Sequence, residues 1–397
     1  MSGKEVFAWG MYDLANTVFS ALFVSFFFPF LIVNFLGGNE FHVGLVFGLS
    51  LLLVAISVPI LGSISDTVKR RMPFIIFFTI ACCIFTVLIL IGNLILALLF
   101  GLIANFCYHA ALTFYNSLLE RFQTKKQGMI SGIGIGMGYI GTILSLVVGY
   151  FVLMKYGWET IQGMQAIFIT IAAMFLILSL FTFFGIREKA GLKFRASYKN
   201  IIKTAKHTFD SAKSIIKNKG MRSFLLGLFF YTNAINAVII FLFLYARQAI
   251  GISVQEFFLP YGIFAVCAAI GSLIFGKLTD IYGGKKILIV AGFLWIIVIL
   301  SLLAVTNYTS FLIAGSLGGA GMGIVWTAAR PKLIKLREKK NIAEYFGFLA
   351  FTNKVSATIG PIILGFLATF VNYTAALLSL LVFFVLGLIF LKFVPKD

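Results

Sequence analysis

The sequence predicts an all-α membrane protein in which twelve transmembrane helices form two pseudo-symmetric six-helix bundles. Of the 397 residues, 61% are hydrophobic and only 11% are charged, whereas a soluble domain carries about 25% charged residues. The chain contains twelve apolar runs of the length, roughly 20 residues, that a helix needs to cross a bilayer. A short polar loop at Gly62 recurs at Gly276, which is 276 minus 62, or 214, residues later. A repeat at half the chain length indicates two similar halves.

The apolar runs fall into two sets of six. The first set lies near residues 10–36, 43–64, 73–91, 94–118, 128–153 and 162–185. The second set lies near residues 222–249, 257–278, 287–306, 309–329, 345–371 and 373–393. We therefore predict an N-terminal bundle over residues 1–185, a cytoplasmic linker over 186–221 and a C-terminal bundle over 222–397.

The basic residues are placed as the positive-inside rule requires. With 32 basic and 13 acidic residues the chain has a formal net charge of +19, which could also suit a nucleic-acid-binding protein. However, the basic residues lie between apolar runs or at the chain ends, except Lys155, Arg247 and Lys354. This pattern excludes nucleic acid as the partner and predicts a multi-pass membrane protein with both termini in the cytoplasm, in the plasma membrane if the source is prokaryotic.

The linker carries its own helical pattern. Apolar residues recur at helical spacing from Tyr198 to Ile216, and lysines such as Lys199 and Lys206 occupy the other faces. An amphipathic basic helix of this kind suits the anionic inner leaflet of a bilayer. An exposed tether that satisfies the orientation rule explains the pattern equally well.

Span five is rich in glycine. Its glycines allow helix backbones to approach closely in lipid, and we interpret them as a packing surface rather than a hinge: Gly128, Gly132, Gly134, Gly136, Gly138 and Gly141.

A few polar groups are expected within the membrane, where they are costly and tend to mark a transport pathway. They share helix faces on spans one, four and seven. The predicted substrate-binding residues are Asn16, Asn105, Tyr108, His109, Asn116, Tyr231, Asn233, Asn236, Trp326 and Lys354. Lys354 is a candidate partner for a substrate carboxylate, whereas Asp13 and His109 are candidates for proton coupling. Two of them have a structural alternative: an interhelical hydrogen bond for His109, and a favourable helix N-terminus for Asp13.

The repeated loop is a candidate gate. The first copy contains Gly62, Asp66, Arg70 and Arg71, and the second contains Gly276, Asp280 and Lys285. Glycine permits close backbone approach, and aspartate can accept charge-assisted hydrogen bonds. Such contacts could hold the cytoplasmic side closed in one state. A helix-ending glycine followed by basic residues explains one copy of this loop but explains two copies poorly.

These two loops resemble the loop between the second and third helices of the major facilitator superfamily. The first copy has Lys69 where a glycine is usual, and the second has Gly284 where an arginine is usual. In that architecture, helices one, four, seven and ten line a central cavity.

A narrower resemblance covers most of the chain. It rests on Trp9, Tyr12, Asp13, Ala15 and Asn16, on Phe114, Tyr115 and Asn116, on Ser131, Gly132, Gly138, Tyr139 and Gly141, and on Phe346, Gly347, Lys354, Gly360 and Pro361. These motifs resemble the vacuolar amino-acid effluxer family and its prokaryotic relatives, which implies export of amino acids. Asn233 and Ala234 stand where relatives often have Asp-Gly, so family-type proton coupling and substrate identity do not carry over directly.

The sequence favours a secondary transporter that moves a small solute by alternating access, and it predicts no enzyme, cofactor or metal. The four cysteines lie in apolar runs without C-x-x-C spacing. Gly271–Lys277 nearly spells a phosphate-binding loop, but Leu278 replaces the required hydroxyl residue. A lipid, lysolipid or drug translocator of the same fold is the alternative. The expected partners are a small-molecule substrate and the bilayer, and the expected oligomeric state is a monomer.

Overall fold

The structure is a computed structural model that describes residues 3–68, 70–118, 127–186, 188, 217–336 and 342–396. These residues form helices joined by short turns. In the first half the helices are α1 (Gly3–Val18), a π-helical segment (Phe19–Phe27), α2 (Phe28–Asn34), α3 (Glu40–Val68), α4 (Met72–Leu88), α5 (Leu94–Ser117), α6 (Gln127–Tyr156) and α7 (Ile161–Gly185). In the second half they are α8 (Lys219–Ile250), α9 (Val254–Tyr282), α10 (Gly284–Leu303), α11 (Tyr308–Leu336), α12 (Ile342–Phe370) and α13 (Tyr373–Lys392).

Twelve stretches of the described residues are helical, long and apolar enough to cross a membrane. The prediction of an all-helical protein with twelve spans is therefore confirmed. α1, the π-helical segment and α2 together make the first span, Lys4–Asn34, and every later helix is one span. Most of the predicted linker, residues 189–216, lies outside the described residues, as does its proposed amphipathic helix.

Local sequence signals set several helix starts. The side chains of Asn93, Thr160, Asn218 and Asn372 each accept a hydrogen bond from a backbone N–H three residues later. These bonds satisfy one of the unpaired N–H groups that every helix start leaves. A capped helix can therefore begin directly after a short turn, so no long loop is needed between successive spans.

The chain folds into two compact units. Unit 1 contains Met1–Gly38 and Leu49–Ala205, and unit 2 contains Asn39–Gly48 and Lys206–Asp397. The grouping of Asn39–Gly48 with unit 2 differs from the sequence-based division at residues 185 and 222.

Unit 1 is held together by aromatic rings and by close helix contacts at α6. Trp9 stacks on Tyr115, with ring centroids 4.9 Å apart, and Phe19 stacks on Tyr108 at 4.8 Å. A Cβ atom at Gly141 would collide with the backbone of Leu14. The packing interpretation of the span-five glycines is thus confirmed at Gly141, whereas a Cβ at Gly136 would meet open space.

Within unit 2, Asn39–Gly48 packs closely against α12. A Cβ at Gly44 would collide with the Pro361 carbonyl, and a Cβ at Gly365 would collide with the Glu40 carbonyl. Tyr373 donates a hydrogen bond to Glu40 Oε1 at 3.1 Å. This hydrogen bond joins the first residue of α3 to the first residue of α13.

Candidate functional site

In unit 1 a carboxylate lies within a hydrogen-bonded group that we call the Asp13 cluster: Asp13, Asn16, Tyr108 and Tyr115. The Tyr115 hydroxyl lies 2.9 Å from Asp13 Oδ2 and donates to it, and Asn16 Nδ2 donates to Asp13 Oδ1 at 3.3 Å. Tyr108 then donates to Asn16 Oδ1 at 3.3 Å. The cluster joins α1 to α5 about 15 Å along α1 from Gly3, at a rise of 1.5 Å per residue.

The α6 backbone shapes the surroundings of Asp13. A Cβ at Gly134 would collide with Asp13 Oδ2 and would lie 2.7 Å from Trp9 Cζ3. Only a residue without a side chain leaves the carboxylate in its present place, so Gly134 contributes to the site by its small size.

The other predicted residues of α5 have different surroundings. His109 is half-buried, and its ring lies edge-on to that of Tyr108, with centroids 4.7 Å apart. Asn105 is fully buried and donates to Ser50 Oγ at 2.5 Å. Asn116 is exposed in the last turn of α5. The structure therefore brings Asn16 and Tyr108 together with Asp13, while Asn105 joins α5 to α3.

In unit 2, polar side chains follow the contact between α8 and α12, which we call the α8–α12 seam. The Thr232 and Ser356 hydroxyls form a hydrogen bond across it. Asn236 Nδ2 donates to the Thr232 carbonyl at 2.7 Å. Asn233 has no exposed surface, and neither its Oδ1 nor its Nδ2 has a hydrogen-bond partner. A buried amide without partners is rare in a native structure and calls for an explanation.

Lys354 provides the charge of the predicted unit 2 site. It is half-buried in α12, about 18 Å along the helix axis from Ile342 at 1.5 Å per residue. Its backbone carbonyl accepts a hydrogen bond from Thr358 Oγ1 at 3.2 Å. An ammonium in the interior of a membrane span is expensive and needs anionic or carbonyl partners.

Tyr231 and Trp326 differ in their exposure to solvent. Tyr231 is fully buried, donates to the Leu288 carbonyl at 3.2 Å, and fills the space left by Gly292 and Gly387. These contacts make Tyr231 a packing residue between α8, α10 and α13, so it is not carried into the proposed site. The Trp326 side chain is 39% exposed on α11 and stays a candidate.

The first copy of the repeated loop ties helices together within unit 1. The Arg71 guanidinium donates to the Ser117 carbonyl at the end of α5. The Arg71 and Met72 backbone N–H groups donate to Glu188 Oε2 at 2.8 and 2.9 Å. Glu188 therefore caps the start of α4 with a carboxylate, which the helix dipole favours. Arg70 is half-buried, whereas the surroundings of Gly62 and of the Asp66 side chain lie outside what the structure describes.

The second copy makes a related tie within unit 2. The Lys285 ammonium donates to the Lys392 carbonyl at 2.9 Å and also to the Val394 carbonyl. Buried Lys332 donates to the Pro395 carbonyl at 2.8 Å. Asp280 is exposed, and Gly276 lies beside Thr327. The contacts of Arg71 and Lys285 shown here fasten helix ends inside one unit; a gating role for either loop stays a prediction.

Several of these partners were missed by sequence reasoning. Ser50, Ser356 and Glu188 act on residues 55, 124 and 117 positions away in the chain. Serine and glutamate at such separations give no periodic signal. Among the described residues, no group of three or more His, Cys, Asp or Glu side chains could hold a metal ion.

The family model described as Major Facilitator Superfamily matches this chain over residues 14–263 and 224–397. The chain belongs to this superfamily. The family and fold are those of transporters, not of enzymes, so the broad resemblance drawn from the repeated loops is confirmed. The narrower resemblance to amino-acid effluxers is not established by this match.

Named relatives agree with the family but differ in what their names describe. The chain is 25% identical to an uncharacterized MFS-type transporter, YxiO, of Bacillus subtilis, over 99% of this chain and 95% of the relative. It is 25% identical to the multidrug resistance protein MdtG of Salmonella typhi, over 80% of this chain and 76% of the relative. A crystal structure of the nucleoside transporter NupG superposes with a TM-score of 0.78 at 16% identity, over 99% of this chain and all of that one. At this identity the superposition shows the fold alone.

Proposed function

We propose that this superfamily member is a secondary active transporter that exports amino acids or related small metabolites by alternating access. The observation that carries the proposal is Lys354, a cationic side chain in the interior of span eleven, the span whose Ser356 contributes a hydroxyl to the α8–α12 seam. A lysine ammonium at this depth is a functional candidate because its insertion is costly. A substrate carboxylate is the charge that an ammonium binds best.

Unit 1 supplies a different chemistry. Asp13 is hydrogen-bonded by Tyr115 and Asn16, and a carboxylate can take up and release a proton during the cycle. We propose that Asp13 couples transport to the proton gradient and that His109 is the second candidate carrier, since imidazole changes charge near neutral pH. Asn16, Tyr108, Asn236 and Trp326 are proposed to supply neutral contacts to the solute.

The test is solute counterflow in proteoliposomes across amino acids, peptides, sugars, nucleosides, drugs and lysolipids. Counterflow of the preferred amino acid by the Lys354→Ala protein should be at least about tenfold slower than by the wild type. This is the loss expected when a charge-assisted hydrogen bond of about 1.5–3 kcal/mol is removed. The matched control is Lys155→Ala, which removes an exposed lysine at the end of α6 and should leave counterflow unchanged. Equal counterflow by both variants would reject Lys354 as the carboxylate partner.

A drug translocator is the second candidate function. It is favoured by the similarity to the multidrug resistance protein MdtG, which matches 80% of this chain at 25% identity. Half-exposed aromatic residues such as Trp326 and Phe351 would suit an apolar solute. Counterflow of an apolar cation that survives the Lys354→Ala change would favour this alternative, because such a solute has no carboxylate to lose.

The setting of the transporter follows from the charge pattern. We propose that both termini lie in the cytoplasm, that the basic linker contacts an anionic inner leaflet and that the protein works as a monomer. The linker holds much of the basic charge of the chain, which is the distribution that orients a multi-pass protein.

A further inference from the structure

The α8–α12 seam contains an amide whose hydrogen-bonding capacity is unused. Asn233 is fully buried, and both polar atoms of its side chain lack a partner. It lies about 21 Å along α8 from Lys219, at 1.5 Å per residue, which places it deep within a membrane span. An unsatisfied amide at this depth has no lipid group to bond with.

The packing holds this amide against α12. A Cβ at Gly360 would lie 2.7 Å from Asn233 Oδ1 and would also collide with the Asn233 carbonyl. The Thr232 hydroxyl is paired with Ser356, and Asn236 is bonded to the Thr232 carbonyl. The neighbouring polar groups are thus already engaged with one another, and Asn233 is not. Asn353 Oδ1, on the same face of α12 two turns before Gly360, is a second buried acceptor without a partner.

We infer that the Asn233 carboxamide recognises, by hydrogen bonding, an uncharged polar group of the transported solute, such as a carboxamide or a hydroxyl. The inference rests on the proposed function and adds a specificity residue to it. Asn233 has one unmet acceptor and an amide donor. A carboxylate would satisfy only Nδ2, and an ammonium would satisfy only Oδ1. A group that both donates and accepts satisfies the two atoms together.

Lys354 and Asn233 then have separate tasks. The ammonium binds the carboxylate that all amino acids share, and the amide distinguishes side chains. Because Asn233 has no exposed surface in this state, its hydrogen bonds form only after the seam between α8 and α12 opens locally. A site that hydrogen-bonds a substrate group rejects analogues that lack the group far more strongly than an apolar pocket does.

The experiment compares two probes of similar size, L-glutamine and L-leucine, on the full-length protein and on Asn233→Leu. Affinity is measured by the ligand-induced shift in melting temperature in detergent and by counterflow in proteoliposomes. The wild-type protein should prefer L-glutamine at least about tenfold, the ratio given by one satisfied buried hydrogen-bonding group. In Asn233→Leu the ratio should fall to about one, while L-leucine is still bound.

The melting temperature without ligand is the second readout. Replacing an unpartnered buried amide with an apolar isostere is neutral or stabilising, so Asn233→Leu should melt at or above the wild-type temperature. The matched control is Asn105→Leu, which removes an equally buried amide that is bonded to Ser50 and should melt lower.

Each contrary outcome has a distinct meaning. A melting temperature of Asn233→Leu that falls as far as that of Asn105→Leu would make the amide structural and overturn the inference. An unchanged preference for L-glutamine, or an equal loss of both probes, would overturn it as well. A wild-type protein that responds to neither probe would overturn the amino-acid proposal and this inference with it.

Discussion

At the scale of single residues, the Asp13 cluster shows how a carboxylate can be kept inside a membrane span. Tyr115 and Asn16 donate to its two oxygens, and Gly134 leaves room for it. These neutral donors can accommodate either protonation state with small movements, because a phenol hydroxyl can also accept from a protonated carboxyl. This adaptability suits a proton carrier.

We predict that Asp13→Asn uncouples transport from the proton gradient. Asparagine has nearly the same shape and cannot carry a proton, so solute counterflow should stay within about twofold of wild type. Accumulation driven by an imposed pH difference in proteoliposomes should be lost. His109→Gln serves as the comparison and should retain both activities. If His109→Gln loses the accumulation and Asp13→Asn keeps it, the carrier is the histidine.

The Tyr231→Phe variant tests whether Tyr231 stabilises the fold or contacts the solute. Its hydroxyl donates to the buried Leu288 carbonyl, so Tyr231→Phe should cost about 1 kcal/mol of stability and lower the apparent melting temperature by about 2–4 °C. The concentration of solute for half-maximal counterflow should not change. An increase in that concentration with unchanged melting would instead return Tyr231 to the binding residues.

At the scale of helices, α6 and α1 approach closely because glycines lie between them. Three glycines of α6 differ in what a methyl group would meet. At Gly141 it would collide with the Leu14 backbone, at Gly134 with the Asp13 carboxylate, and at Gly136 with nothing within 4 Å. Backbone cannot move aside easily, whereas the end of a side chain can.

The same substitution at these three positions should therefore have three effects. Gly141→Ala should destabilise by about 1–3 kcal/mol, the usual cost of overpacking. Gly134→Ala should destabilise less than Gly141→Ala, because its methyl group meets the Asp13 carboxylate and the Trp9 ring rather than backbone, and it should impair pH-driven accumulation by displacing Asp13. Gly136→Ala should leave both properties unchanged. Melting curves and uptake on the three variants check the order, and a Gly136→Ala protein as unstable as Gly141→Ala would contradict it.

The sequence predicts the positions of the helices better than it predicts the contacts between them. Apolar length fixes a span, because a bilayer demands about 20 residues, and the polar faces of Asp13 and Asn16 follow from helical spacing. The first span was less predictable: its centre is π-helical from Phe19 to Phe27, and apolar composition does not distinguish π from α geometry. The packing role of Tyr231 depends on Gly292 and Gly387, which are 61 and 156 positions away in the chain. Neither position has a periodic relation to Tyr231.

At the scale of the whole molecule, the internal repeat has a structural counterpart in each unit. Arg71 and Lys285 are related by the same offset of 214 residues, since 285 minus 71 is 214. Arg71 and Met72 bond a residue that follows the sixth span, and Lys285 bonds the end of the twelfth. Both copies therefore tie the start of the third span of their half to the end of the sixth. A shared tie of this kind supports descent of the two halves from one six-helix unit.

These ties should act on stability. Lys285→Gln keeps a hydrogen-bond donor but loses the charge that interacts favourably with the C-terminal carbonyls of α13. We expect the melting temperature to fall by about 1–3 °C, since helix-terminal charge interactions contribute about 0.3–1 kcal/mol. The fall should shrink at high salt, because the interaction is partly exposed and screened. Insensitivity of the melting difference to salt would mean that Lys285 contributes by packing.

The orientation of all twelve spans depends on the basic loops, and labelling of single cysteines tests it. Cys82, Cys83, Cys107 and Cys267 are first replaced by alanine or serine, because they are the only cysteines in the sequence. An even number of crossings with both termini inside places Ser197, in the basic linker, on the inner side and exposed Thr309, in the first turn of α11, on the outer side. A membrane-impermeant maleimide applied to intact cells should therefore label Thr309→Cys and should reach Ser197→Cys only after permeabilisation. The reverse pattern would invert the molecule and the predicted direction of transport. Labelling of both positions in intact cells would require an even number of crossings between them, instead of the three predicted, and would contradict the predicted set of spans.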